Sequence, residues 1–255
     1  MRYIRIYKLK DTLLVTINTV SFLLQSNLVG KGEKMGYEID FFPVGNGEHA
    51  GDAIALRYGN LFGNRNEQKI IIIDGGYKDT GQMIVEHVKE FYHTDEIDLV
   101  ISTHPDNDHS NGLEVVLEEL NVHELWMHQP WNHTDDIAKL FIDGRVTDNS
   151  VSNALKKSLD TVYNLEKIAH RKSIPITEPF CGLEFDNTNF IVLSPTQEYY
   201  ESLLPLFRGT PEPVEGVVDQ AINFVKGVVQ NLIESMSIET LDDSGETTAE
   251  NYSSV

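Results

Sequence analysis

The stretch STHPDNDHSNG, residues 102–112, brings two histidines and two aspartates together within six positions, at His104, Asp106, Asp108 and His109. The apolar run DLVIS, residues 98–102, ends directly before it. Apolar residues at helical spacing begin directly after it, at Leu113. The sequence therefore predicts that the four side chains lie in a loop between a buried strand and a helix that begins near Asn111 or Gly112.

The chemistry of these four side chains indicates a metal site. Two aspartates within three residues repel each other unless a positive charge lies between them or one stays protonated. Two histidines and two carboxylates offer mixed N/O coordination, which suits Zn²⁺, Mn²⁺ or Fe²⁺. A calcium loop that starts at Asp106 would need glycine where Asn111 stands and glutamate where Leu117 stands. The alternative, in which an aspartate only caps the helix and the histidines lie on the surface, accounts poorly for all four residues together.

The segments on either side of the loop alternate between strand and helix patterns. KIIIID, residues 69–74, is apolar on both faces, which is typical of a strand covered above and below. Ile84, Val88 and Phe91 recur at helical spacing, and ELWMH, residues 124–128, indicates a further strand. This alternation predicts an α/β fold built in layers.

The flanking segments extend this architecture. YEIDFFPV, residues 37–44, and DAIALRYG, residues 52–59, indicate strands on either side of a glycine-rich turn. Downstream, apolar spacing predicts one long helix over roughly residues 149–171. SIPITEPF, residues 173–180, predicts a loop or an edge strand, and NFIVLSP, residues 189–195, predicts another strand.

Composition limits the classes of partner. The 255 residues are 40% apolar and 24% charged, as in globular proteins, and the formal net charge is −20. A surface this acidic repels a phosphate backbone, so we expect no extensive surface for non-specific nucleic-acid binding. Bound divalent metals would still allow a phosphorylated substrate. The single cysteine, Cys181, excludes an internal disulfide and is expected to serve packing.

The first 34 residues have a basic start followed by an apolar stretch. Polar residues interrupt that stretch, so we expect no stable membrane span. We interpret residues 1–34 as an N-terminal extension, either disordered or not native to the domain, and residues 35–255 as the functional domain. A signal peptide and a structural element are the alternatives. The expected location is therefore cytoplasmic, with export as the alternative.

The motifs resemble a known family. THPDNDHSNG is similar to the His-x-His-x-Asp-His signature of the metallo-β-lactamase fold, with Asp106 in place of the second histidine. Together with VGNGEHAGDAIAL, residues 44–56, and IIIIDGG, residues 70–76, it looks most like the hydrolase domain of ComEC-type competence proteins and their free-standing relatives. The resemblance covers residues 37–255 and implies a four-layer αββα sandwich.

Roles for the four clustered residues follow from the resemblance. It implies that His104 and Asp106 ligate a first metal ion, and that Asp108 and His109 ligate a second. Asp108 would also orient or deprotonate the attacking water, which makes it the expected catalytic residue. Two divalent ions, most readily Zn²⁺ or Mn²⁺, are the implied cofactors. An aspartate at position 106 is a harder ligand than histidine and widens the choice towards Mn²⁺ and Mg²⁺.

Supporting residues also follow from the resemblance. Asp74 would hold the ligand loop, residues 102–112, in place by hydrogen bonds, and Asp52 would have a structural role in its Gly-Asp turn. His49 in the glycine-rich turn and His128 after a strand are candidates for a substrate pocket.

The implied activity is hydrolysis of a phosphodiester, nucleotide or related ester by a metal-bound hydroxide. Resemblance to competence proteins favours nucleic acid or nucleotides as substrates, whereas the charge of −20 favours small molecules.

The end of the chain carries a further expectation. In the resembled family, a stretch like NYSSV opens a hairpin whose Gly-Asp motif and a later histidine complete the metal site. We therefore expect a C-terminally incomplete sandwich that holds one ion or none. The alternative function is a non-catalytic remnant that acts as a binding or interaction module. An incomplete sandwich would expose sheet edges and self-associate.

Overall fold

The computed structural model describes residues 36–45, 51–187 and 189–217, together with the backbone of three strands between residues 4 and 25. Almost all of these residues lie in the first of two compact units, Met1–Val214. The expected incompleteness concerns ligands that the resembled family supplies beyond the stretch NYSSV, and it stays a prediction. Residues 218–255 lie outside the described residues. The expected domain boundary at residue 35 stays a prediction.

The described strands have the following bounds: β1 (Ile4–Leu9), β2 (Thr12–Ile17), β3 (Val20–Gln25), β4 (Gly36–Phe41), β5 (Ala53–Gly59), β6 (Gln68–Gly75), β7 (Glu96–Ile97), β8 (Leu99–Ile101), β9 (Asn121–Val122), β10 (Leu125–Trp126), β11 (Ile176–Thr177), β12 (Glu184–Phe185) and β13 (Phe190–Ser194). The α-helices are α1 (Lys78–Phe91), α2 (Asn107–Glu119), α3 (Asp148–Ser158), α4 (Asp160–Lys172) and α5 (Gln197–Leu203). Short 3₁₀ helices lie at Arg65–Glu67, Pro130–Asn132, Ile137–Leu140 and Leu204–Leu206.

These strands form two larger sheets and one short pair. The six-stranded sheet has the order β11-β10-β8-β6-β5-β4, and the five-stranded sheet has the order β1-β2-β3-β13-β12. β6, β8, β10 and β11 run parallel, whereas β4 and β5 add to β6 as antiparallel neighbours. β11 lies at the edge of its sheet, as the two prolines near it predict.

The isoleucine run of β6 explains the layering. Ile70 and Ile72 pack in a core that includes side chains of α1, α2, α3 and α4. Ile71 and Ile73 point to the opposite face and pack with Phe190 and other residues of a second core, which joins the two sheets. Because successive side chains of a strand alternate between faces, a strand buried on both faces must be apolar throughout. Helices, six-stranded sheet and five-stranded sheet are therefore stacked in that order.

Glycines let three backbones touch where β6 meets the helices. A Cβ atom on Gly112 in α2 would lie 1.9 Å from the carbonyl oxygen of Gly75. A Cβ atom on Gly81 in α1 would lie 2.3 Å from the carbonyl oxygen of Gly112. Gly112 also donates its backbone N–H to the carbonyl of Gly76 at 2.8 Å. The position of α2 is therefore fixed by main-chain contacts with both neighbours.

Two expected helix boundaries are wrong. α2 begins at Asn107 rather than near Asn111 or Gly112, because the Asp106 carbonyl already accepts the amides of His109 and Ser110. The helix expected over residues 149–171 is two helices, α3 and α4. The chain leaves helical geometry at Leu159, with φ −113° and ψ 40°, while its side chain stays buried, so the apolar spacing continues through the break.

The mixed α/β architecture with its central sheet is consistent with the predicted metallo-β-lactamase fold. Within the described part of the chain, none of the helices combines the length and the apolar character needed to cross a membrane.

Candidate metal centre

The ligand loop leaves the carboxyl end of β8 and enters α2, and hydrogen bonds within the loop fix its path. Ser110 Oγ donates to the backbone carbonyl of His104 at 2.7 Å. The carbonyl of Asp106 accepts the amides of His109 and Ser110 at 3.0 and 2.9 Å. As a result, Asp108 and His109 lie in the first helical turn, and His104 lies in the loop that precedes it.

Asp74 joins this loop to the neighbouring strand. It lies near the carboxyl end of β6, is fully buried, and has a left-handed backbone with φ 55°, which aspartate tolerates better than most residues. Its Oδ1 accepts the amide of Thr103 at 2.9 Å, and its Oδ2 accepts the Thr103 hydroxyl at 2.6 Å. Asp74 Oδ2 also lies 2.9 Å from His109 Nδ1. One buried carboxylate therefore holds both the start of the loop and the start of the helix.

The contact with Asp74 sets the tautomer of His109. A carboxylate only accepts hydrogen bonds, so Nδ1 of His109 must carry the proton. In a neutral imidazole this leaves the lone pair on Nε2. His109 Nε2 is buried, and no described residue forms a hydrogen bond with it. A buried nitrogen with a lone pair and no protein partner is suited to bind a metal ion, and an aspartate behind the ring is the usual support for such a ligand.

His104 is oriented by a similar chain of hydrogen bonds. The Thr103 hydroxyl has one hydrogen, which it donates to Asp74 Oδ2. His104 Nδ1 lies 2.9 Å from the same hydroxyl oxygen, so Nδ1 must be the donor of that bond. The lone pair of His104 is therefore also on Nε2. Sequence reasoning did not assign Thr103 a role, although its position between a strand end and a histidine was visible.

Three side chains converge closely enough to hold a metal ion. Ligand atoms of Asp74, His104 and His109 all lie within 4.8 Å of one another, and the two imidazole rings have centroids 3.8 Å apart. Both oxygens of Asp74 already accept hydrogen bonds, so we assign it the supporting position and the two Nε2 atoms the ligand positions. The donor set fits a divalent metal such as Zn²⁺ or Mn²⁺.

The two other predicted ligands lie beside this group rather than within it. Asp106 is the N-cap residue of α2, and its side chain forms no capping hydrogen bond. Its Oδ2 lies 3.7 Å from His104 Nε2. Asp108 is buried in the first turn of α2. The ligand roles of Asp106 and Asp108, and the catalytic role of Asp108, stay predictions.

The Gly-Asp turn before β5 packs against the start of α2. A Cβ atom on Gly51 would lie 1.7 Å from the carbonyl oxygen of Asp108, so only glycine allows this approach. The carbonyl of Asp52 accepts the amide of Gly76 at 3.1 Å, and Asp52 Oδ2 lies 3.7 Å from His109 Nδ1. The turn therefore contacts the candidate site through both its backbone and its carboxylate.

A cavity of about 200 Å³ lies beside the ligand loop and is lined by Ser102, Thr103, His104 and Pro105 on that side. His128, predicted as a pocket residue, lines the same cavity. Its ring stacks on Tyr200 with centroids 4.4 Å apart and contacts Phe180 at 4.8 Å. Burial lowers the pKa of His128 to about 4. The other predicted pocket residue, His49, lies outside the described residues.

Sequence reasoning missed an ionic cluster around His133, whose ring lies 5.8 Å from that of Tyr200 in the cavity lining. His133 Nε2 contacts Glu178 Oε2 at 2.8 Å, and His133 Nδ1 contacts Glu201 Oε1 of α5 at 2.9 Å. The hydrogen bond to Glu178 raises the pKa of His133 above its ordinary value. Glu178 and Glu201 are separated from His133 by 45 and 68 positions, so no local pattern in the sequence could have joined them.

Comparison with known proteins agrees with this geometry. Residues 61–163 match the family model described as "Metallo-beta-lactamase superfamily". The matched segment contains Asp74, the whole ligand loop and His128, but not Asp52. No curated protein matches the chain. The match, the consistent fold and the convergent Asp74, His104 and His109 together support a metallo-β-lactamase superfamily domain in this chain.

Proposed function

We propose that this protein is a metal-dependent hydrolase whose substrate is a phosphodiester, a nucleotide or a related ester. The observation that carries the proposal is the buried Nε2 of His109, which has no partner among the described residues and lies beside His104 and Asp74. The superfamily match over residues 61–163 supports hydrolysis as the activity.

The imidazoles of His104 and His109 would be metal ligands, and Asp74 would orient them. A bound divalent metal lowers the pKa of a coordinated water and stabilises negative charge on the attacked group. Asp74 and Thr103 keep both imidazoles in the tautomer that offers Nε2. Burial of His109 excludes bulk water from its side of the site, which strengthens electrostatic interactions there.

Asp106 and Asp108 extend the proposal to a second ion. We propose that Asp106 joins His104 at one ion and that Asp108 joins His109 at the other, with Asp108 also accepting a proton from the attacking water. Zn²⁺ and Mn²⁺ suit this N/O donor set. The distance of 3.7 Å from Asp106 Oδ2 to His104 Nε2 supports the first pairing. Similarity to the ComEC-type hydrolase domain remains part of the proposal.

The test compares metal content and hydrolysis in the same preparations. The full chain is treated with a chelator, dialysed, and reloaded with Zn²⁺ or Mn²⁺. Metal is measured by mass spectrometry, and hydrolysis is measured on bis(4-nitrophenyl) phosphate and 4-nitrophenyl butyrate. We expect one or more equivalents of metal and metal-dependent hydrolysis of at least one ester.

A matched pair of variants locates the site. His109→Ala should lose the bound metal and the hydrolysis, whereas His123→Ala, at an exposed histidine outside the cluster, should keep both. Absence of metal in the parent chain would overturn the metal-centre assignment. Metal binding without hydrolysis of either ester would instead favour the alternative function, a non-catalytic binding module that keeps the fold.

A further inference from the structure

The cavity beside the ligand loop has an unusual lining. Opposite the loop, its wall is formed by apolar residues of the α3–α4 junction, α4, α5 and the following segment: Leu159, Val162, Leu203 and Phe207. Of the described residues that line the cavity, only the two histidines and the phenols of Tyr199 and Tyr200 can ionise. No described lining residue is an aspartate, a glutamate, a lysine or an arginine. A cation placed here would lose its hydration, and no described residue that lines the cavity has a carboxylate to pair with it. An anion would find a counter-charge only at the candidate metal centre.

Among the described residues that line the cavity, His128 alone has buried side-chain nitrogen or oxygen atoms without a hydrogen-bond partner. Both of its ring nitrogens are buried, and neither forms a hydrogen bond with a described residue. Its faces are covered by Tyr200 and Phe180, so the ring cannot turn out to solvent without breaking those contacts. With a pKa lowered to about 4 by burial, the imidazole is neutral near pH 7 and offers one donor and one acceptor.

A buried imidazole without hydrogen-bond partners lowers the stability of the fold, and a ligand that forms those hydrogen bonds restores it. Leaving a buried donor or acceptor without a partner destabilises a protein. A ligand that fills the cavity and presents a hydroxyl or carbonyl to His128 would satisfy it. An apolar cavity of about 150 Å³ is known to accommodate benzene. The cavity of about 200 Å³ is therefore large enough for one ring with a small substituent.

We propose that this cavity is the binding site for an uncharged, largely apolar group of the substrate, about the size of one substituted aromatic ring, which forms a hydrogen bond with His128. The assignment rests on the proposed hydrolase function, because the cavity opens onto His104 of the candidate metal centre. It narrows the substrate to a small ester with one uncharged apolar substituent. The cavity disfavours a polynucleotide, since the next phosphate would meet a wall in which no described residue is a lysine or an arginine.

The test measures binding rather than turnover, so it is independent of hydrolysis. Three probes share one ring: toluene, benzyl alcohol and benzylamine, which is a cation near pH 7. Their binding to the full chain, as purified, is followed by NMR titration. We expect benzyl alcohol to bind about five- to tenfold more tightly than toluene, which corresponds to one net hydrogen bond. Benzylamine should bind more weakly than either at this site, because no described residue that lines the cavity has a carboxylate to pair with its ammonium group.

Two variants assign the binding to the cavity. His128→Leu should lower the affinity for benzyl alcohol to that for toluene and leave toluene binding unchanged. Leu203→Trp should fill the cavity and weaken binding of both, whereas Leu206→Trp, at an exposed leucine one turn further on, should have no effect. Circular dichroism checks that each variant is folded, and the His128→Leu comparison decides the proposal if Leu203→Trp fails to fold.

Three outcomes would overturn the proposal. They are tightest binding by benzylamine, equal affinities for benzyl alcohol in the parent and His128→Leu, and no probe binding in the parent chain. Failure of the hydrolase proposal is a separate result, because it appears as missing turnover or missing metal while the probe affinities stay as expected.

Discussion

The carboxylate of Asp74 lies 2.9 Å from Nδ1 of His109, and neither side chain has any exposed surface. The same carboxylate accepts the hydroxyl of Thr103, which in turn is bonded to His104. A single buried aspartate therefore sets the orientation and the tautomer of both imidazoles. The geometry of the candidate metal centre depends on a residue to which we assign no direct contact with the metal.

Asp74→Asn tests this dependence. Asparagine tolerates the left-handed backbone of position 74, so the strand end should keep its path. It replaces one acceptor oxygen by a donor and removes the charge that supports the histidines. We expect the affinity for Zn²⁺ to fall about ten- to a hundredfold, the usual effect of losing such a support. Isothermal titration calorimetry of the chelator-treated, metal-free chain measures the Zn²⁺ affinity.

The control for this variant is a second buried aspartate. Asp98 lies at the opposite end of the strands, where it pairs with Arg65 and Lys69. Asp98→Asn should lower the free energy of unfolding and leave metal affinity unchanged. Equal losses of metal affinity in the two variants would mean that Asp74 acts only through overall stability.

Thr103→Val removes the hydroxyl between Asp74 and His104 while keeping the β-branched shape. We expect metal affinity to fall about tenfold, because His104 loses the bond that fixes its ring. Thr103→Ser retains the hydroxyl and should keep affinity close to that of the parent. If the valine and serine variants bind metal equally well, the Thr103 hydroxyl has no part in orienting His104.

Gly112→Ala tests the main-chain contact that positions α2. The added methyl group would lie 1.9 Å from the Gly75 carbonyl oxygen, so α2 must move away from β6. We expect a loss of more than about 2 kcal/mol in the free energy of unfolding, together with weaker metal binding. Gly144→Ala is the control, since nothing lies within 4 Å of the added methyl group. Urea denaturation measures the free energy of unfolding of the two variants. Similar values for Gly112→Ala and Gly144→Ala would contradict the close contact.

The link between His133 and α5 should depend on pH. The hydrogen bond to Glu178 raises the pKa of His133 above 6.5. The contribution of protonated His133 to the free energy of unfolding is therefore complete below about pH 6.5 and is lost as the pH rises through the raised pKa. Hydrogen bonding lowers the pKa of Glu201 below 4.5, so its contribution is lost only as pH falls through that lowered value. We expect His133→Gln to cost about 1–2 kcal/mol near pH 6 and less near pH 9.

Urea denaturation at several pH values measures the difference between parent and variant. His123→Gln, at an exposed histidine, should show no such trend. A parent–variant difference that stays constant from about pH 6 to about pH 9 would mean that the charge of His133 does not hold α5.

Much of the fold was predictable because burial dictates composition. The run of isoleucines in β6 must be a strand covered on both faces, and the alternation of strands and helices follows from the spacing of apolar residues. The boundary at Leu159 was not predictable, since Leu155, Leu159 and Val162 keep helical spacing across the break. The spacing of apolar residues indicates which face of a helix is buried. That spacing can continue unchanged where one helix ends and the next begins in a new direction.

The candidate site was predictable only as far as it is local in sequence. His104 and His109 stand out because they lie five positions apart in a polar turn, and Asp74 stands out because it ends an apolar strand. The start of α2 at Asn107 was missed because polar residues at a helix terminus look like a loop. The contact of His133 with Glu201 spans 68 positions and depends on the tertiary fold.

The two halves of the candidate site belong to different stretches of the chain. The residues that orient the imidazoles come from β6, the end of β8 and the first turn of α2, whereas the far wall of the cavity comes from α4 and α5. A substitution at Val162 or Leu203 can reshape that wall without touching Asp74 or Thr103. Under the proposed function, substitutions in these two helices would therefore change which substrate fits while the residues that hold the metal ion stay the same.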